Sequence, residues 1–362
     1  MGQGFQSYFM MREEGTQSGA EISSWGTDSG LFTSGMYFNT ESMTPANEQK
    51  FLTEIGRSGS NDRGVKRLRQ LGLKAEGSVE FPCYPEGGGD KAGIGLLLKH
   101  TFGAVLTGTY SGDGTKLHTF FPHDNMYGNL SASANVGAGT GRAFGITFHM
   151  GKEDDGGNIR DYPFIGNRVK SLAFTCSAGE ELKCTVNTVA RKAKSHGTAL
   201  TVSYPTMAPF MWKDATFQLG VDETGAGGTE RTIDAFNIQI ENNLKEVWTM
   251  GTNVLGRVVS NGQRVVTGAY SAPYYGWVRS EYDKWVGGNS SSLNMAFVNG
   301  PYRLEFRCPK IYYTGKAPNV GGMDEQVIEM PFQAVVSTTG TKYYDIKALL
   351  VNTDSNIGFS IV

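Results

Sequence analysis

The chain has 362 residues, enough for two domains of ordinary size that each bury a core. Its 49 glycines predict many turns, while 39% hydrophobic and 11% aromatic residues make it too apolar for a disordered chain. A formal net charge of −2 excludes an overall positive field that would draw it to nucleic acid or an anionic membrane.

Residues 1–35, rich in Gly, Ser and Thr, show no sustained period and read as an N-terminal arm ordered by neighbouring molecules. Met36, Phe38 and Thr40 then alternate with Tyr37 and Asn39 as a strand does, and a long polar loop is expected from Glu41 to Arg69. Phe51, Leu52 and Ile55 within that loop argue that it packs against something. A strand is expected over Leu71–Phe81. A helix in KAGIGLLLKHTFG follows, capped by Asp90, with Ile94, Leu97, Leu98 and Phe102 on one face as ordinary core packing.

From Thr107 to Gly166 the glycine-rich pieces GDG, GAGTG and DDGG separate short strands such as RAFGITFHM. A hairpin then places Leu172, Phe174 and Cys176 on one face, turns at Ser177–Glu180, and returns with Leu182, Cys184 and Val186. Residues 196–212, with two prolines and little pattern, read as a linker. After it the order recurs. Strand AFNIQI (Ala235–Ile240), a second long loop (Glu241–Gly262), and strand QRVVTGAYSAPY precede a helix in which Val278, Tyr282 and Trp285 share a face. A closing hairpin, YRLEFRCPKIYYTGK to DEQVIEMPFQAVV, puts Cys308 in the place of Cys176. The expected organisation is therefore an arm (1–35), a first β domain (36–195), a linker (196–212) and a second β domain (213–362), the domains being two copies of strand, long loop, strand, helix and hairpin.

Cys83, Cys176, Cys184 and Cys308 lie in apolar or alternating segments with neither disulfide-framework nor zinc spacing, and read as buried free thiols. His100, His118, His123, His149 and His196 are scattered without a ligand motif; His118 and His123, with Asp124 alongside, read as hydrogen-bonded loop histidines. GAGTGRAFG lacks the strand and helix of a dinucleotide site, and SGDG and EDDGG lack a full calcium-ligand run. No catalytic, metal or cofactor site is expected. The start lacks the order of a signal peptide and no stretch of 18 apolar residues occurs, so the expectation is a soluble protein made in a reducing cytoplasm.

The phrases ESMTPANEQKFLTEIGRSGSNDRGVKRLR, KAEGSVEFPCYPEGGGDKAGIGLLLKHTFG, RVKSLAFTCSAGEELKCTVNTVARKA and FNIQIENNLKEVWTMGTNVLGRVV, in this order, resemble the tail tube proteins of long-tailed bacteriophages. The resemblance spans most of residues 36–336. It implies a mainly β fold of two tandem sandwich or barrel units, each with one flanking helix, that assembles into stacked rings forming a hollow tube through which DNA is ejected. It also implies a virion component, made in the bacterial host, whose partners are itself and other tail proteins, with DNA passing unbound and no membrane. Two units per chain make a trimer of pseudo-six-fold symmetry the simplest ring. The long loops would reach a neighbouring subunit or ring through Phe51, Leu52, Ile55, Trp248, Met250, Val254 and Leu255, with Arg57, Arg63, Lys66, Arg67 and Arg69 pairing with carboxylates across the contact or merely solvating the loop. A tail connector or tip protein on the same fold is the near alternative. From another class stands a sugar-binding sandwich using Tyr274, Tyr275 and Trp277 as stacking platforms.

Overall fold

The computed structural model describes residues 7–13, 35–52, 67–86, 93–110, 114–122, 145–154, 156–222, 225–248, 250, 255–315, 326–337 and 344–354. The chain is mainly β, as the turn-rich composition and alternating patterns predict. In order the elements are β1 (Tyr8–Glu13), β2 (Gly35–Met36), β3 (Thr40–Glu41), β4 (Thr44–Pro45), β5 (Glu48–Leu52), β6 (Arg67–Gly72), β7 (Ala75–Pro82), α1 (Ile94–Phe102), β8 (Gly103–Thr109), β9 (Lys116–Pro122), β10 (Ile146–Glu153), β11 (Ile159–Ser177), β12 (Lys183–Ala190), β13 (Lys192–Ala193) and β14 (Gly197–Thr198). There follow β15 (Ala215–Leu219), β16 (Thr229–Arg231), β17 (Ala235–Glu241), β18 (Leu244–Val247), β19 (Arg257–Ser260), β20 (Val265–Pro273), α2 (Gly276–Val286), β21 (Ser291–Asn299), β22 (Tyr302–Tyr313), β23 (Val327–Ala334) and β24 (Lys347–Asn352).

One antiparallel sheet runs through both halves of the chain. Strands β3 and β4 pair with β7, then β12, β11, β17, β20 and β23 follow in spatial order. The side-chain period of two sends alternate residues to opposite faces. The row Val79, Val186, Leu172, Ile240, Val266 and Ala334 therefore faces the interior, and each of these residues is buried.

Two long strands leave this sheet for others. The first part of β11 pairs with β10, its last part with β12 and β17, and a bulge between Val169 and Ser171 marks the bend. Likewise β22 pairs with β21 and β24 before its last residues, Ile311–Tyr313, meet β23. The expected closing hairpin of β22 and β23 is thus short, because the earlier residues of β22 pair with β21 and β24 instead.

The interior is one cluster drawn from both halves, with the rings of Phe174 on β11 and Phe306 on β22 4.6 Å apart. Helix α1 lies within it, so all nine of its residues are buried, more than the single predicted face. Gly103, at φ 92°, ends the helix in the left-handed conformation that glycine adopts without strain, and its N–H bonds to the Lys99 carbonyl. The helix starts at Ile94; the expected cap Asp90 lies outside the described residues. In α2, Val278 is buried and Tyr282 and Trp285 are half-buried, on the face that the spacing predicts.

Three segments differ from the expectation. Part of the N-terminal arm, residues 8–13, is strand β1, paired with β10 and β2 inside its own chain. Both of its faces are buried, Phe9 and Met11 in the main cluster and Tyr8 and Met10 under Leu200 and Val202, so no apolar/polar alternation betrayed it. Residues 196–212 lie along the first half: the Leu200 N–H bonds to the Tyr8 hydroxyl at 3.0 Å, and Phe210 is buried between main-chain bonds to Cys83 and Leu182. The two long loops are hairpins, β5–β6 and β18–β19.

The C-terminal segment forms β24 between β22 of the second half and β9 of the first. His118 on β9 fastens it: the ring nitrogens lie 2.9 Å from the Thr107 hydroxyl and 3.0 Å from the Asn352 side-chain oxygen. Burial lowers the imidazole pKa below its usual 6.5 against the opposing pull of the Asn352 hydrogen bond. A base depressed on folding contributes stability that is complete above about pH 6.5 and is lost as pH falls toward the folded pKa. In His118→Gln the acid-induced fall in urea midpoint, followed between about pH 7.5 and 5, should be shallower than in the parent. Equal slopes would show that His118 is not part of the acid response.

Candidate assembly surfaces

The outer face of the continuous sheet is built by the complement of the residues that bury it. Its central row reads Thr40, Glu80, Thr185, Ala173, Gln239, Thr267 and Gln333 from edge to edge. Flanking rows add Ser78, Asn187, Ser171 and Glu241 on one side and Thr175 and Asn237 on the other. Small polar residues dominate. Carboxylates at Glu76, Glu80, Glu241 and Glu329 outnumber the ammonium groups of Lys170 and Lys183, and Lys183 is 3.0 Å from Glu180. Ser42, Ser78, Ser171, Asn187 and Glu241 line a shallow cleft across this face. The sequence held the signal for it in the alternation of AFNIQI, whose Asn237 and Gln239 are exposed while Phe236, Ile238 and Ile240 are buried.

The two hairpins project beside each other from this sheet's border. Lys74 Nζ lies 3.0 Å from Glu246 and 3.3 Å from Glu76, and Leu255 donates its N–H to the Leu73 carbonyl. A side chain at Gly72 would strike the Trp248 ring at 2.6 Å, so the absence of a Cβ there lets the second hairpin sit on the base of the first.

The residues expected at an assembly contact divide accordingly. Met250 is fully exposed and Trp248 is 38% exposed, whereas Leu255 is buried with Val189 and Val258 inside its own chain. Phe51 and Leu52 fall on β5, Arg67 and Arg69 on β6, with Arg69 exposed. Ile55, Arg57, Arg63, Lys66 and Val254 lie outside the described residues.

The aromatic group does not form an open platform. Trp277 stacks on Tyr270 at 6.1 Å between ring centroids, and the Arg231 guanidinium lies 5.5 Å over its ring, so of the three only Tyr275 is largely exposed. Of the histidine pair, His118 is buried on strand β9 and not in a loop, and His123 lies outside the described residues. Asp154 of EDDGG spends its carboxylate on the N–H groups of Gly156 and Asn158 and on Arg160, closing a turn. The four cysteines are free and buried, as their settings predict, and burial pushes the Cys176 thiol up to about 11. Among the described residues no group of three metal-ligating side chains occurs, and no helix is long and apolar enough to cross a membrane.

Comparison with known proteins bears on these surfaces. A family model described as phage tail tube protein matches residues 14–334. No match was found among curated proteins.

Proposed function

Because the chain belongs to the phage tail tube protein family, a family of structural tail components, we propose that it self-assembles into rings that stack into a hollow tube conducting DNA. The observation that carries this reading is the two-faced sheet. One face is sealed by the core of both halves, and the other offers hydroxyl and amide groups with a slight excess of carboxylates. Such a wall suits a conduit. A protein that neutralises phosphates with ammonium or guanidinium groups releases counterions and binds tightly, whereas a polar, weakly acidic wall gains little by holding DNA. We place this face toward the lumen and the paired hairpins, with exposed Met250, toward the next ring.

The ring follows from the chain's internal order. Gly77–Pro82 of β7 and Gly268–Pro273 of β20 share the spacing Gly-x-x-x-x-Pro, and each strand then leads to a helix. The strand before each and the strand after each pair with it in the same sense: β3 and β4 with β7 and β12, β17 with β20 and β23. We read residues 8–195 and 213–354 as two copies of one unit, so that three chains supply six units and close a trimer of pseudo-six-fold symmetry. Synthesis in the bacterial host before incorporation into the virion goes with this reading.

The test is negative-stain microscopy of the purified protein at rising concentration, with the mass of the smallest oligomer measured. Stacked rings and a trimer mass are expected. A single ring that never stacks would indicate a connector or tip, and a monomer at every concentration would refute self-assembly.

A further inference from the structure

Within the chain, the junction between the two halves is the pairing of β17 with β11. Ala235 lies opposite Ser177 and Glu241 opposite Ser171. The next residue, Asn242, closes the junction. Its N–H bonds to the Lys170 carbonyl at 2.9 Å, and its side-chain amide donates to the carbonyls of Val169 at 3.1 Å and Thr101, in the last turn of α1, at 3.2 Å. It is 4% exposed.

The same arrangement is half-built at the outer border of the sheet. With Gly77 laid on Gly268, Thr40 opposite Glu80 matches Ala235 opposite Ser271, and Pro45 opposite Ala75 matches Ile240 opposite Val266. Main-chain bonds agree: the Asn39 N–H reaches the Glu80 carbonyl as the Asp234 N–H reaches that of Ser271. Met43 then falls on Ile238, both buried, and Asn47 falls on Asn242. Asn47, however, is exposed, and among the described residues no strand pairs with the outer side of Thr40–Pro45.

The complementary edge is at the other end of the sheet. Gly77 pairs with Thr188, whose β11 neighbour is Val169; Gly268 pairs with Phe332, whose β22 neighbour is Tyr313. Tyr313 therefore occupies the place of Val169. Helix α2 stands over it as α1 stands over Val169, since the Tyr313 hydroxyl donates to Glu281 on α2 at 2.8 Å. Among the described residues no strand pairs with the far side of Tyr312–Gly315.

Resting on the ring reading above, we propose that Asn47 is the lock between copies of this chain. It would enter the end of β22 in the partner subunit, bonding to the Tyr313 carbonyl of the partner subunit and to the last turn of α2 there, as Asn242 does at the junction inside the chain. The rest of the edge is guarded. The Glu41 carboxylate accepts the Met43 N–H at 3.0 Å and pairs with Lys152 at 2.6 Å, and Pro45 has no N–H to offer. This concentrates the contact at Ala46–Asn47 and discourages indiscriminate strand pairing, so that only a partner with a matching helix turn and carbonyl is accepted.

The experiment uses the full chain in two forms. Asn47→Ala, at an exposed position, should keep the circular dichroism and melting temperature of the parent while raising the critical concentration for ring formation about tenfold, the scale of losing one or two interfacial hydrogen bonds. Asn47→Cys combined with Thr314→Cys, or Ala46→Cys with Thr314→Cys for a β22 without the one-residue bulge that β11 has at Lys170, should give disulfide-linked oligomers on oxidation, because opposed residues of a ladder lie within disulfide range. The four native thiols are buried and should not compete. Rings forming normally in Asn47→Ala, with no cross-link in either double variant, would overturn the lock and leave the ring reading intact. A parent protein that never assembles would overturn the ring reading itself.

Discussion

Phe174→Ala is expected to destabilise the chain by about 3–5 kcal/mol, and to do so in both halves at once. Phe174 is fully buried, and its ring meets Phe306 from the other half at 4.6 Å in a core continuous across the junction. Removing it leaves a cavity that two strands, held by β12, β17, β21 and β24, have little freedom to close. Amide hydrogen exchange would read the effect. Protection should fall in β12 and in β21 together, since neither half has a separate core to retreat to. Loss confined to β12 would mean that the halves are independently stable and merely touch.

Gln239→Lys, Thr267→Lys and Gln333→Lys combined should make the proposed tube, whose wall is read as letting DNA pass, retain DNA instead. The three positions are exposed and lie side by side on β17, β20 and β23, so the variant adds a short basic stripe to the proposed lumen without disturbing the buried row behind it. If three phosphates are neutralised per chain, log K should fall with log salt concentration at a slope of about −2.7 per chain. Assembled tubes carrying the stripe should protect linear double-stranded DNA from nuclease at low salt and lose it at high salt. The same positions changed to glutamate should give no protection. Lysine tubes of normal appearance that protect nothing would place this sheet face elsewhere than on the DNA path.

Much of this architecture could be read along the chain, and the reason is local. Strands with one buried and one wet face announce themselves by alternation, as in Phe236, Ile238 and Ile240 against Asn237 and Gln239, or Leu172, Phe174 and Cys176 against Ala173 and Thr175. The hairpin turn at Ser177–Glu180, the two helices and the burial of all four cysteines were legible in the same way. Strand β1 was not, because its residues are buried on both sides. Residues 196–212 carried no period because scattered single residues make their contacts, such as Leu200 on Tyr8 and Phe210 with Cys83 and Phe297.

What the sequence determined by itself was therefore the mainly β class and the phrases that ally the chain with tail tube proteins. Tertiary structure alone decided that the two halves share one sheet through β11 and β17, that β24 ties β22 to β9, and that Leu255 is buried while Met250 is exposed. It alone set Asn242 at the junction and left Asn47 open at the border. Side-chain period depends on neighbours along the chain and survives in the sequence; pairing between strands depends on main-chain hydrogen bonds, which every residue except proline can make and which leave no residue-specific mark.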